Sequence, residues 1–188
     1  MGVMRVVAGS AKGRRLEAPA GRDVRPTSSR VREALFNSLG SLGLVDGASF
    51  ADLFAGTGAL GVEALSRGAE SVVFVDRSPA SLAAVRANLE ACGLADGARV
   101  VAGEALSFAA SMEPVDVALL DPPYDFDEWP QLLGLVRCEV AVVESDREVA
   151  APVGASVLSS RRYGGTVVTM LRFDGRDGSG RTPAEVGK

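Results

Sequence analysis

Asp52-Leu-Phe-Ala-Gly56-Thr57-Gly58-Ala-Leu-Gly61 is the stretch from which the fold follows. Its upstream flank, Ser49–Phe54, is apolar and reads as a buried strand, and Ala59–Ser66 downstream reads as a helix. Gly56 and Gly58 mark a tight turn between them, where backbone can approach a ligand beneath a helix N-terminus. The same strand–turn–helix pattern recurs: strands over Ser71–Val75, Ala98–Ala102, Val115–Leu120 and Glu139–Glu144, helices over Pro79–Ala91, Ala105–Ser111 and about Glu128–Val136. Such alternation, with mostly apolar strands, predicts an α/β fold: a parallel sheet covered by helices on both faces. The end of the chain differs. Ala155–Tyr163 and Thr166–Phe173 flank Gly164-Gly165, the signature of an antiparallel hairpin.

Upstream of this core, Met4–Ala8 and Arg15–Ala18 predict two short strands around the Gly9-Ser-Ala-Lys-Gly13 turn. Pro26 follows, and Thr27 or Ser28 is placed to cap a helix reaching about Leu39. Val31, Leu35, Phe36 and Leu39 form its apolar face, Arg30 and Glu33 point outward, and Gly40 and Gly43 end it. The expected organisation is an extension over 1–43, the α/β domain over 44–173, and a glycine-rich disordered tail over 174–188.

The 188 residues, 47% hydrophobic and 23% charged, fit one soluble globular domain. No apolar run approaches the ~20 residues that span a bilayer, and the N-terminus lacks a signal-peptide core, so a cytoplasmic protein without membrane contact is expected. Cys92 and Cys138 are too few for a disulfide framework or a cysteine zinc site. The absence of histidine excludes histidine triads, histidine metal ligands and imidazole bases, so no metal is expected. The net charge of −4 is unevenly spread. Residues 1–32 carry eight basic groups against two acidic, whereas the rest carries 12 against 22. Screening over about 8 Å lets a polyanion at the N-terminal face feel the local positive charge, although a solvated charged arm is the plainer alternative. Lys12, Arg14, Arg15, Arg25, Arg30 and Arg32 are the candidate phosphate contacts.

Asp76 ends the second strand, 20 residues after Gly56, where a carboxylate can accept both hydroxyls of an adenosine ribose. Gly56-x-Gly58-x-x-Gly61 also satisfies the dinucleotide fingerprint, which keeps NAD open. Asp52 favours S-adenosylmethionine, since a carboxylate beside the turn attracts an ammonium and repels a pyrophosphate. Glu104, after the third strand, can accept from an adenine amino group or simply complement a helix dipole. Phe54, Thr57, Arg77 and Ala105 complete the candidate cofactor contacts. Asp121-Pro122-Pro123-Tyr124 follows Val115–Leu120, at the strand edge where open α/β sheets bind ligands. The Asp121 carboxylate and the Pro122 carbonyl offer two acceptors on a stiff frame, and Tyr124 adds a stacking face. Together they suit a planar amino group such as a nucleobase edge; an ordinary strand-to-loop turn is the alternative.

Four stretches resemble a known family: Arg5–Gly9 with Lys12–Leu16, Arg25–Thr27 with Arg30–Asn37, Asp52–Gly61, and Asp121–Tyr124. In order and spacing the chain is similar to the class I S-adenosylmethionine-dependent methyltransferases. More narrowly, it resembles the RsmD family of 16S ribosomal RNA guanine-N2 methyltransferases over nearly all of 4–173. Glu104 departs from the aspartate usual in that family. The resemblance implies a Rossmann-like sheet of seven strands, six parallel and one antiparallel. It also implies a single methylation of a guanine exocyclic nitrogen in small-subunit RNA, within an assembled or partly assembled 30S particle; a monomer is expected. Asp121, Pro122 and Tyr124 would act on the base. Rival readings are a DNA adenine-N6 or cytosine-N4 methyltransferase, an NAD-dependent oxidoreductase, and a non-catalytic RNA-binding module.

Overall fold

The computed structural model describes residues 4–18 and 28–175. Its centre is a sheet of seven strands: β1 (Ser49–Asp52), β2 (Ser71–Asp76), β3 (Ala98–Ala102), β4 (Val115–Leu120), β5 (Cys138–Ser145), β6 (Ala155–Tyr163) and β7 (Thr166–Phe173). They lie in the order β3-β2-β1-β4-β5-β7-β6. The pairs among β1 to β5 are parallel, and β7 runs antiparallel to both β5 and β6. Six strands therefore share one direction and β7 opposes them, as the resemblance implies.

Residue alternation splits the core in two. Phe50, Val72, Phe74, Val117, Leu119, Val140, Val142, Val168 and Met170 face one side of the sheet. There they meet α1 (Ser29–Ser41), α2 (Ala59–Ser66) and α3 (Pro79–Cys92). Ala51, Val75, Ala118, Leu120, Ala141, Val143, Leu171 and Phe173 face the other side, against α4 (Ala105–Ala109) and α5 (Trp129–Leu135). All six residues of β4 are buried, as suits a parallel strand with helices on both sides. Gly61 shows how tightly α2 lies on the sheet: a Cβ there would stand 2.2 Å from the Phe74 ring.

The N-terminal segment belongs to the first core, since Val6, Ala11 and Leu16 pack with the α1 residues Val31, Leu35, Phe36 and Leu39. Ser28 Oγ caps α1 by accepting from the Val31 N–H at 3.3 Å. Pro26 and Thr27 lie outside the described residues. Helix α1 runs through Gly40 to Ser41, and the chain turns at Gly43, whose φ is 72°.

The expected strands Met4–Ala8 and Arg15–Ala18 reduce to one antiparallel bridge, Arg5 with Arg15. Helix α2 takes the donors that a longer ladder would have used. The Val7 and Ala8 N–H groups donate to the Glu63 carboxylate at 2.8 and 3.0 Å. The Ser10 N–H reaches the Ser66 carbonyl at 2.7 Å, and the Ala11 N–H reaches Ser66 Oγ at 3.0 Å.

Arg32 requires correction as a phosphate contact. It is 0% exposed, and its guanidinium lies 3.4 Å from the equally buried Glu63 and donates to the Arg5 carbonyl. Glu63 also accepts from Arg67 Nε at 2.7 Å. A buried carboxylate needs counter-charge, and α1 supplies it from its inner face. Burial pulls the Arg32 pKa down and the Glu63 charge pulls it back up.

Candidate active site

Strand order reverses between β1 and β4, and in open α/β sheets the crevice outside the carboxyl ends at such a point receives ligands. Asp52 is registered against Leu119, and the Leu53 N–H donates to the Leu119 carbonyl at 3.1 Å. Neighbouring strands stand about 4.8 Å apart. The Gly56–Gly58 turn and Asp121–Tyr124 thus leave the sheet side by side. Asp52 continues the alternation of Phe50, Asp76 that of Val72 and Phe74, and position 121 that of Val117 and Leu119. All three acids fall on the α2 side of the sheet.

Asp76 is half-buried and organises the turn. Its carboxylate accepts from the Gly56 N–H at 2.9 Å and the Ser78 N–H at 2.8 Å. Asp52 is 1% exposed and accepts from the Gly61 N–H at 3.2 Å, tying the end of β1 to the first turn of α2. Desolvation drives its pKa up to about 7; the Gly61 hydrogen bond opposes that shift and the neighbouring charge of Asp76 adds to it. Gly58, at φ 76°, takes the cap position of α2 without a side-chain cap. Thr57 is buried, and its Oγ1 accepts from the Ala59 N–H at 3.2 Å.

Glu104 caps α4 by position, makes no side-chain cap bond, and pairs with Arg77 at 3.7 Å across the β2 and β3 loops. Both side chains are well exposed, so water screens the pair. Ala105 behind them is buried. Phe54 is half-buried and meets Phe126 edge-on at 5.4 Å, and Phe126 meets Trp129 at 5.1 Å. An aromatic chain therefore joins the glycine turn to the loop after Tyr124.

Pro122 is buried, while Tyr124 is 40% exposed and its hydroxyl lies 2.9 Å from Thr166 Oγ1. That bond ties the Asp121–Tyr124 loop to the start of β7. Arg147 holds the same loop from the end of β5, donating to the Tyr124 carbonyl at 3.2 Å and the Phe126 carbonyl at 2.8 Å. Sequence reading missed Arg147, because an arginine in Ser-Asp-Arg-Glu signals only a polar loop. It missed Glu144 as well. This residue is 7% exposed, one position beyond the paired Leu120 and Val143, and so stands level with Asp121 on the adjacent strand. An acid closing an apolar strand was its available signal. Asn88, inside α3, gave none. It is buried, and its amide donates to the Thr57 carbonyl at 2.8 Å and the Glu17 carbonyl at 3.0 Å, while its oxygen accepts from the Glu17 N–H at 2.8 Å.

Lys12, Arg14, Arg15 and Arg30 are exposed, and Arg25 lies outside the described residues. The tip of the N-terminal hairpin is fastened to Ser66, at the far end of α2 from Gly58. Eight helical steps put that end about 12 Å from the glycine turn.

Strand order, glycine turn and carboxylate-ended β2 define a Rossmann-like class I methyltransferase fold. The family model described as conserved hypothetical protein 95 matches residues 4–172. The chain belongs to that family, the RsmD family that its motifs resemble. It is 41% identical over 186 residues to "Putative rRNA methyltransferase YlbH" of Bacillus subtilis, covering 92% of this chain and 100% of that one. It is 42% identical over 124 residues to "Ribosomal RNA small subunit methyltransferase D" of Escherichia coli K12, covering 65% and 61%. Among solved structures, "Putative methyltransferase yhhF" from Escherichia coli superposes with a TM-score of 0.81 at 31% identity, over 92% of this chain and 99% of that one.

Proposed function

We propose that the protein methylates the exocyclic N2 of a guanine in small-subunit (16S) ribosomal RNA, with S-adenosylmethionine as donor. The observation that carries this reading is the adjacency of the glycine turn and the Asp121–Tyr124 loop on strands β1 and β4. A donor and an acceptor held there are within one strand spacing. The relatives' names support an RNA substrate and methyl transfer.

The residues fit the cofactor. Asp76, and Asp52 once it ionises, place negative charge at the turn, which suits a cationic sulfonium and ammonium and opposes the pyrophosphate of NAD. Asp76 would hold the ribose, Gly56 and Gly58 would admit the chain of the ligand against their backbone, and Glu104 and Ala105 would border the adenine. S-adenosylmethionine supplies an electrophilic methyl on a sulfonium that departs as a neutral thioether.

Guanine N2 is a weak nucleophile because its lone pair is delocalised into the ring. Asp121 and the Pro122 carbonyl accept its two N–H bonds and turn the lone pair toward the methyl. Orientation and electrostatics provide most of the rate. The Asp121 carboxylate or water would take the N2 proton that the incoming methyl displaces. Glu144, level with Asp121, adds an acceptor for the neighbouring N1–H. An acceptor-only set suits guanine, whose N1 and N2 both donate; adenine and cytosine would present a ring acceptor to it. Tyr124 stacks on the extruded base.

In this reading residues 1–43 contact RNA, 44–173 hold the cofactor, and the protein acts as a cytoplasmic monomer on an assembled or partly assembled 30S particle. The test uses 30S particles and naked 16S RNA from cells lacking the protein. Labelled S-adenosylmethionine is added, and the nucleosides are resolved by mass. N2-methylguanosine is expected with wild type and absent with Asp121→Ala. Wild-type turnover in Asp121→Ala, or label on another base, overturns the reading.

A further inference from the structure

The N-terminal hairpin carries Lys12, Arg14 and Arg15, yet its tip sits about 12 Å from the glycine turn. At ~3.4 Å of rise per nucleotide, that is three to four phosphates away from the target base. Strand β6 stands three strand spacings of about 4.8 Å from β4, and Tyr124 bridges part of that gap by reaching Thr166 on β7. Strand β6 runs in the same direction as β1 to β5, so its final residues Arg161, Arg162 and Tyr163 emerge at the edge that carries Asp121 and Gly56. Tyr163 is registered opposite Thr166, the residue that bonds the Tyr124 hydroxyl, and Arg162 is registered opposite Val167. The two arginines therefore lie within two residues of a direct contact to the stacking ring.

Arg77 and Arg147, which follow β2 and β5 at the same edge, are each engaged by a carboxylate. Arg161 and Arg162 are exposed, and among the described residues neither guanidinium has a hydrogen-bond or ion-pair partner. Strand alternation sends them to opposite sides of the sheet edge. Arg161 is on the side shared with Ala34, Leu35 and Ser38 of α1, the helix that also exposes Arg30.

We propose that the β6–β7 hairpin is a second RNA-binding element, with Arg161 and Arg162 holding the phosphates on either side of the base stacked on Tyr124. The inference rests on the reading of the substrate as RNA. The planar fork of an arginine suits phosphate oxygens, and the Tyr124–Thr166 bond brings the stacking residue to the strand beside β6. The β7 bond to Tyr124 makes ring and clamp one unit, so base and backbone are gripped in fixed relation.

The test compares wild type with Arg161→Gln/Arg162→Gln, Arg161→Lys/Arg162→Lys and Arg137→Gln. Arg137 is exposed and precedes β5, which puts it at the opposite edge of the sheet. RNA affinity is measured between 50 and 250 mM salt, and methyl transfer is measured against RNA concentration. The glutamine pair should lower the log–log salt slope by about 1.4, at ~0.7 per single-strand phosphate, and raise KM with cofactor affinity unchanged. The lysine pair should keep the slope, and Arg137→Gln should match wild type. An unchanged slope and KM in the glutamine pair overturns the proposal, as does an equal loss in Arg137→Gln. Binding lost to particles but retained to naked RNA assigns the hairpin to a ribosomal protein and overturns it too. Failure of wild type itself to methylate RNA would instead sink the functional reading.

Discussion

Replacing Asp52 with asparagine should stabilise the protein at alkaline pH and remove a slope from its pH–stability curve. The Asp52 carboxyl is buried between β1 and α2, and desolvation moves its pKa from 3.8 to about 7. The folded state thus binds this proton more tightly than the unfolded chain does. Its contribution is most favourable below about pH 4, declines as pH rises toward 7, and stays unfavourable above that. The difference between 3.8 and about 7, at ~1.4 kcal/mol per pH unit, is worth about 4 kcal/mol. Asparagine keeps an oxygen for the Gly61 N–H and carries no charge to desolvate. Urea denaturation of both proteins at pH 5, 6, 7 and 8 isolates the effect, because other groups titrate alike in the two. Asp52→Asn should exceed wild type by several kcal/mol at pH 8, with the gap closing toward pH 5. Parallel curves across that range would refute the burial argument. The same charge is the one offered to a cationic cofactor, so wild-type affinity for S-adenosylmethionine should rise between pH 6 and 8, and Asp52→Asn should lose that rise.

Three further perturbations probe the neighbouring contacts. Tyr124→Phe keeps the ring and loses only the Thr166 bond, so kcat/KM should fall less than threefold; Tyr124→Ala loses stacking worth ~1–3 kcal/mol, about 5- to 150-fold in kcat/KM. Glu63→Gln leaves Arg32 buried without counter-charge and should cost about 3–5 kcal/mol by chemical denaturation, with Arg32→Met in the same chain restoring much of it. Arg147→Ala releases the Tyr124 and Phe126 carbonyls, so KM for RNA should rise several-fold while calorimetric cofactor affinity holds.

The regular elements were legible from local pattern. Strands β3, β4, β6 and β7 and helix α2 occupy the expected residues, because apolar runs, turn glycines and caps act over a few positions. The glycine turn and Asp121–Tyr124 were legible for the same reason, and the strand alternation put their acids on one side of the sheet. Arg32 was not. In sequence it sits among other basic residues of the N-terminal segment, and only the packing of α1 on α2 turns it toward Glu63. The N-terminal hairpin was legible as a turn, yet four of its N–H groups donate to Glu63 and Ser66, more than 50 residues away.

By itself, then, the order of residues determined the strand–turn–helix repeats, the terminal hairpin and the motifs at the strand ends, since each depends on near neighbours. Tertiary structure alone decided which charges are spent inside and which stay free. Burial is a property of what packs against a residue from elsewhere in the chain. That is why burial raises the Asp52 pKa, why Arg147 pins a distant loop, and why the Arg161 and Arg162 side chains stand unpaired among the described residues at the edge where the base would enter.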